Sequence, residues 1–578
     1  MLHIPKSGSW PSSPPIRPHP LYPLKTDPTL RQHTRANSNA YEIPAKHTFS
    51  WQAMSNLSLA DQILFEQFGQ GPVAAVPYEA IHHAYEAQVA ANPQAVAVQH
   101  LGDNISYGEL DRQANRLAAL LARHGVRTGD NVALFLQRSI PMVVGILAVL
   151  KAGASYVPQH VGVAPESHLN YVIETAETKV ILTLSHLQHL IPVPDGHICI
   201  AIDEVMQQPF PDEVDYVEAF VPATAVSPHN TCFIIFNSGT TGKPNGVQVT
   251  HGNAANILLT EPGNLGIRPG LKVGQILSIA FDMAAWEILG SLAHGATLVI
   301  RGEDFMETVR QVDVVISTPS ILSTFDTDQC HNVKVVAVAG EPCPRPLADK
   351  WASFCTFYNS CGPTETTIVN TMQHYLPWDE RLTIGKPTPN NTVYVLDKNL
   401  QPCAIGEVGE MWAGGDCVSA GYIGNEQLTN ERYLPDPFLG NGRLMFRTRD
   451  LGRWTSDGEL EHLGRTDDQV KVRGFRVELD SISAVLESTA NCKRAVTLKL
   501  DDRHLVAFVS SLAVDVEAAQ TAVAESLPYY CTPKFIIALD ELPMTSRGKI
   551  DKRALMQMAV AYGQAETRQP ELLEAVPC

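Results

Sequence analysis

At 578 residues the chain is too long for one compact core, so two or more domains are expected. Its 43 basic and 61 acidic residues leave a net charge of −18, which argues against broad binding to nucleic acid or to an anionic membrane, though not against a local cationic pocket. The 11 cysteines are scattered and odd in number, with no Cys-x-x-Cys pair, and read as reduced thiols of a cytoplasmic protein; no apolar run approaches the roughly 20 residues that span a bilayer.

The first 50 or so residues interleave Pro11, Pro14, Pro15, Pro18, Pro20 and Pro23 with Ser, Arg and His. That composition neither nucleates a helix nor fills a core, so residues 1–50 are expected to be a disordered tail. A mitochondrial presequence is the alternative, and the prolines would break its amphipathic helix. Globular structure is expected from Trp51. Ser106 and Glu109 have capping-box spacing, and Leu110, Ala114, Leu117 and Leu121 repeat at helical spacing before Gly125. A strand over Asn131 to Leu136 and an apolar helix over Met142 to Leu150 follow. Strands at Val180 to Thr183, Ala296 to Ile300, Val312 to Ile316 and Val333 to Val338 alternate with helices, as in α/β layers with mainly parallel sheets. From Asn391 to Trp412 the elements shorten and become strand-rich, and after Gly464 a smaller region mixes strands with helices.

Phe236-Asn237-Ser238-Gly239-Thr240-Thr241-Gly242-Lys243-Pro244-Asn245-Gly246-Val247 lies between two predicted strands, Cys232 to Phe236 and Val247 to Thr250. Glycines let backbone N–H groups approach phosphate oxygens, hydroxyls add donors and Lys243 adds charge. Gly239 and Gly242 enclose only two residues and no helix follows, so this is not a Walker A loop. A plain hairpin loop remains the alternative. Further segments follow a fixed order: Leu150 to Pro158, Phe281 to Glu287, Asn359 to Thr367, Phe446 to Trp454, Gly464 to Glu478 and Thr545 to Arg553.

Taken together these seven segments resemble the core motifs of adenylation domains of non-ribosomal peptide synthetases, within the adenylate-forming superfamily, over about residues 60 to 560. The resemblance implies a large N-terminal α/β domain over 51–464, with layered mainly parallel sheets and a barrel-like strand-rich part. It also implies a small mobile α+β domain over 465–560 and a flexible tail over 561–578. The implied chemistry has two steps: ATP and a carboxylic acid give an acyl-adenylate and pyrophosphate, and a thiol then takes the acyl group. ATP and Mg2+ are the implied cofactors. The implied acceptor is the phosphopantetheine thiol of a carrier domain, in trans or in a larger synthetase.

By resemblance, Ser238, Thr240, Thr241, Gly242 and Lys243 hold the phosphates, Asn359, Ser360 and Cys361 border the nucleotide, and Thr364 meets the α-phosphate. Glu365 directs the magnesium ion, while Asp450 accepts the ribose hydroxyls and Arg465 stands beside it. Lys549 supplies the catalytic cation and Asp467 is the hinge. Taken singly, Asp450 reads as a loop acid, Asp467 as a turn acid and Lys549 as a solvated side chain. Four departures stand out: Asn245 replaces a phosphate-loop lysine, Cys361 an adenine-stacking aromatic, Arg449 a glycine and Ala420 an arginine.

Asp282 matches the acid that pairs with an α-ammonium group, its alternative being a cap on the helix that follows. The other pocket positions implied are Met283, Trp286, Ser320, Ala337, Ala339, Ser360, Ile368 and Val369, a mostly apolar lining that suits a hydrophobic or aromatic α-amino acid. The chain is expected to be a free-standing adenylating enzyme or a module of a larger synthetase. A coenzyme A ligase and a catalytically weakened nucleotide-binding relative are the alternatives.

Overall fold

The computed structural model describes residues 51–208, 220–239, 243–545 and 550–573. The expected tail over 1–50 lies outside them, and so do Thr240, Thr241, Gly242 and Lys549. The described residues form one compact unit.

Two sheets carry the architecture. The six-stranded sheet has the order Ile198–Ala201, Val180–Thr183, Asn131–Leu136, Ser155–His160, Thr231–Asn237, Asn245–Thr250. Every pair in it is parallel except the last, which is an antiparallel hairpin. The nine-stranded sheet runs Lys386–Pro387, Thr371–Tyr375, Thr356–Cys361, Val335–Val338, Val314–Ser317, Lys272–Gln275, Thr297–Ile300, Val96–His100, Asp103–Ser106. Its middle is parallel and its two ends are antiparallel. Such strands are buried on both faces, which is why they read as continuous Val/Ile/Leu runs.

The helices between the sheets show the same logic. Ile140–Lys151 and Met283–Ala293 are apolar around nearly their whole circumference and pack into the main core. Tyr107–Arg123 is amphipathic instead: Ser106 Oγ accepts from the Glu109 N–H at 3.2 Å and Leu110, Ala114, Leu117 and Leu121 face inward. The Glu109 carboxylate reaches Arg112 and Gln113, so only half of the expected capping box forms.

Between residues 391 and 465 the strands are antiparallel: Asn391–Leu396, Gly409–Gly415, Leu444–Trp454 and Tyr433–Pro435, with Leu460–Arg465 alongside. The remaining chain forms a small C-terminal domain. It holds the hairpin Gln469–Val472/Phe475–Glu478, a sheet of Arg494–Lys499, Leu505–Ser510 and Phe535–Leu539, and the helices Leu479–Glu487 and Val516–Ser526. Val477, Ile482, Leu486 and Val523 give this part its own core. A last helix, Lys552–Leu573, runs through much of the stretch expected as a tail.

The carboxyl ends of the parallel strands point to a common crevice, the usual ligand position in open α/β sheets. Thr231–Asn237 delivers Ser238 there, and Val335–Val338 and Thr356–Cys361 deliver Ala339, Asn359, Ser360 and Cys361.

Candidate active site

A cavity of about 1190 Å³ occupies that crevice. Ser238, Asp282, Met283, Ala339, Asn359, Ser360, Cys361, Thr364, Ile368, Asp450, Arg465 and Asp467 all line it. Residues more than 200 positions apart thus meet on one wall, as the motif order implies.

At the phosphate loop, the Ser238 hydroxyl donates to the Arg476 carbonyl at 2.9 Å, and the Ser481 hydroxyl donates to the Gly239 carbonyl. A Cβ on Gly239 would clash with the Lys243 carbonyl oxygen, so this close approach requires glycine. Lys243 is exposed, with Nζ 5.8 Å from the centre of the Tyr171 ring. Asn245 begins the return strand, and its side-chain oxygen accepts from Asn425 at 3.4 Å.

Asp282 stands at the N-cap position of the helix Met283–Ala293; no side-chain capping bond forms, though the Met283 N–H helps to lower its carboxyl. The residue is half-buried on the cavity wall. Desolvation pushes its carboxyl up to about 6 against the opposing pull of the Thr364 hydroxyl and the Lys471 ammonium. Met283, Ala339 and Ile368 line the same cavity. Trp286, Ser320, Ala337 and Val369 stand off that wall. Trp286 Nε1 donates to the Gly263 carbonyl at 2.6 Å, and the Ser320 N–H donates to the Glu341 carboxylate at 2.9 Å. Ala337 and Val369 are core residues.

Where the resemblance expects the nucleotide, Asp450 Oδ1 accepts from Arg465 Nη1 at 2.5 Å and lies 3.3 Å from His462 Nε2. Burial would raise this carboxyl, yet His462 and Arg465 outweigh it and hold it below the usual range. Arg465 also binds Asp467 with two nitrogens, at 2.8 and 3.0 Å. Arg449 stands 3.7 Å from Asp467 and 2.9 Å from Glu431. Its φ of +64° explains why glycine suits that position; Arg449 holds the left-handed conformation with two acids beside it. The Ser360 hydroxyl is buried with no partner among the described residues, and Asn359 Nδ2 donates to the Thr383 carbonyl at 2.5 Å. The Cys361 thiol is pushed up to about 12 by burial, so it is a neutral, non-stacking wall.

Glu365 is fully buried and bound by two groups. Arg476 Nη1 lies 2.9 Å from Oε2, and the Tyr422 hydroxyl donates to Oε1 at 2.7 Å. Burial alone would raise this carboxyl, but Arg476, Arg432 and Tyr422 together bring it to about 2. Nothing in the sequence singles out Arg476 or Tyr422 for this role. Lys471 also lines the cavity and is held below the ordinary lysine value by desolvation and by Arg476. Both cations sit in the segment Gly464 to Glu478, so the motif is visible in the chain. Its hairpin reaching across to Glu365 is not.

The family model for AMP-binding enzymes matches residues 85–423. An adenylate-forming reductase, number 06235, of Coprinopsis cinerea is 46% identical over 511 residues, covering 88% of this chain and 49% of its own length. A nonribosomal peptide synthetase, sirP, of Leptosphaeria maculans is 34% identical over 484 residues, covering 83% of this chain and 22% of its own length. Among solved structures, an artificially fused adenylation–PCP di-domain, NpsA-ThdA of Klebsiella oxytoca, superposes with a TM-score of 0.71 at 25% identity. That match covers 79% of this chain and 93% of the other. The chain spans about half the length of the adenylate-forming reductase it matches. A nucleotide-sized cavity at the strand ends, the ordered motifs around it and these likenesses lead to one conclusion: the chain belongs to the AMP-binding, adenylate-forming superfamily, with an adenylation-domain fold like that of non-ribosomal peptide synthetases.

Proposed function

We propose that the chain activates an α-amino acid with ATP and passes the acyl group to the phosphopantetheine thiol of a carrier domain. The observation that supports this best is Asp282, whose carboxyl desolvation raises to about 6, in a cavity that Met283, Ala339, Ile368, Asp450 and Ser238 also line. An acid held above its usual range even with the Lys471 ammonium acting on it favours a ligand that brings its own cation, and an α-ammonium does so. The apolar walls favour a hydrophobic or aromatic side chain.

In the first step a carboxylate oxygen attacks the α-phosphorus, an O–P bond forms and pyrophosphate leaves with the electrons of the broken bond. Placement and charge neutralisation dominate such a reaction. Asp450 would receive the ribose hydroxyls, Thr364 the α-phosphate, and Ser238, Thr240, Thr241, Gly242 and Lys243 the pyrophosphate half. Lys549 would supply the cation for adenylation. Among the described residues no group of three His, Cys, Asp or Glu side chains is placed to hold a metal. Glu365, the carboxylate that the resemblance assigns to magnesium, is buried, paired with Arg476 and off the cavity wall, so it would hold the ion only with Arg476 moved away; magnesium binds through one or two carboxylates plus substrate phosphates. Bound there, the ion would neutralise developing phosphate charge.

In the second step the thiol attacks the acyl carbon and AMP leaves. Asp467 would be the hinge between the two steps, with the small domain beginning near residue 465. The reductase name of the 46% identical relative favours one fate for the thioester over peptide-bond formation, namely reduction. Amino-acid-dependent exchange of labelled pyrophosphate into ATP across a panel of acids tests the first step. Exchange with aryl or fatty acids alone would remove the amino-acid reading.

A further inference from the structure

Arg449 lies in the strand Leu444–Trp454, just before the irregular part of its pairing with Leu460–Arg465, and has a φ of +64°. That left-handed backbone suits glycine and is costly for any residue with a Cβ. Its contacts show what the side chain provides in return. Arg449 Nη2 lies 2.9 Å from Glu431, on the helix Glu426–Arg432, and Nη1 lies 3.7 Å from Asp467. The carbonyl oxygen of Arg449 accepts from the Thr466 N–H at 2.9 Å and from its hydroxyl at 3.2 Å. One residue thus grips two of the positions that lead from Leu460–Arg465 to the hairpin Gln469–Val472/Phe475–Glu478.

Asp467 also has Arg465, but that pair joins residues two positions apart and is local to the turn. Arg449 differs, because it ties the turn to a separate helix. Desolvation would raise the Asp467 carboxyl, yet Arg465 and then Arg449 hold it below its usual range, so it stays an anion. The cluster is only partly shielded: the side chains of Arg449, Asp467 and Glu431 are 21%, 16% and 52% exposed. Attraction of that kind shifts an equilibrium a few-fold and weakens with salt.

We propose that Arg449 is a latch on this turn, a positioning residue that ties Asp467 to Glu431 and thereby favours the arrangement in which Arg476 sits on Glu365. This rests on the reading above that Asp467 is the hinge. Rotation about the Asp467 backbone moves its carboxylate and the hairpin beyond it, whereas Arg449 and Glu431 stay with the strand and helix that carry them. Adenylation, in that reading, needs Glu365 free of Arg476. The latch therefore sets the fraction of molecules poised to adenylate, without touching the substrate itself. Because each ion pair is partly exposed, it biases that fraction and does not lock it.

Amide hydrogen exchange of Thr466 in the full chain, whose N–H bonds the residue 449 carbonyl, reads opening of the turn directly. Arg449→Gly, which fits the left-handed backbone, should speed that exchange about threefold, and Glu431→Ala, away from the turn, should act in the same direction. The double variant should add little to Arg449→Gly alone, because both break one tie. Arg449→Lys keeps the charge but cannot span both acids, so it should fall between. Salt of about 0.5 M should speed Thr466 exchange in the unmodified chain and not in Arg449→Gly, while amides of Asn131–Leu136 stay unchanged throughout. In pyrophosphate exchange, kcat/KM for ATP should rise about threefold in Arg449→Gly, following the open fraction. Thr466 exchange unmoved by Glu431→Ala, or additive effects of the two variants, would overturn the proposal. So would a fall in kcat/KM, which would assign Arg449 to support of the neighbouring Asp450. Absence of any amino-acid-dependent exchange in the unmodified chain would strike the adenylation reading itself, and the Thr466 amide would still decide the latch.

Discussion

Arg476 reaches from the C-terminal hairpin to Glu365 with Nη1 2.9 Å from Oε2 and 3.2 Å from Oε1. A guanidinium therefore neutralises the carboxylate that the resemblance assigns to magnesium. Both cations want the same oxygens, so position of the hairpin and metal binding are coupled.

Arg476→Met should separate the two. Breaking a buried ion pair leaves a charge behind and costs about 3 kcal/mol or more, seen as a lower thermal midpoint. The freed carboxylate should also lower the magnesium concentration that gives half-maximal pyrophosphate exchange. An unchanged magnesium requirement would contradict competition at Glu365. The sign with pH follows from the lowered carboxyl. The pair's stabilisation is present above about pH 4 and fades as the pH falls toward the folded value of about 2.

Asp282→Ala should abolish amino-acid-dependent exchange while ATP binding stays largely intact. Because burial raises Asp282 to about 6, its anion is lost as the pH drops through that value. KM for the amino acid should then rise up to about tenfold per pH unit below 6, whereas KM for ATP should not follow. A flat amino-acid KM between pH 5 and 7, values chosen to bracket that of about 6, would show that Asp282 does not pair with an ammonium.

Lys549→Ala and Asp467→Pro should affect different steps. Loss of the lysine should remove most adenylate formation, on the order of 3 kcal/mol in the barrier. Asp467→Pro fixes one backbone dihedral in the turn after Arg465 and should leave adenylate formation intact while slowing thioester formation at least about tenfold. Direct quantification of adenylate and thioester with one substrate decides. Equal suppression of adenylation by both variants would remove the hinge role.

Cys361→Tyr should tighten ATP. Cys361 lines the cavity, where the proposed reading puts the adenine, and its thiol cannot stack, so an aromatic ring there should lower KM for ATP about three- to tenfold. No change would mean that the adenine lies elsewhere in the cavity.

The glycine–hydroxyl loop, the apolar strands, the helix cap at Ser106 and the order of seven motifs were legible in the chain because each depends on residues near in sequence. Strand and helix periods repeat over a few positions, and a tight turn such as Gly239 declares itself by residue type. The parts that depended on tertiary structure join distant segments. Asp282 stands just before a helix in sequence, and only the packed chain brings the Thr364 hydroxyl and the Lys471 ammonium to act on its carboxyl. Trp286, Ala337 and Val369 turned inward to the core, since a motif position fixes the backbone but not which face the neighbouring elements cover. Arg476 on Glu365, and Arg138 with Arg301 on the Ile276 carbonyl, join residues separated by 111, 138 and 25 positions. Charge pairing at that separation has no local periodicity to betray it; it exists only once the sheets and the C-terminal hairpin have packed around one cavity.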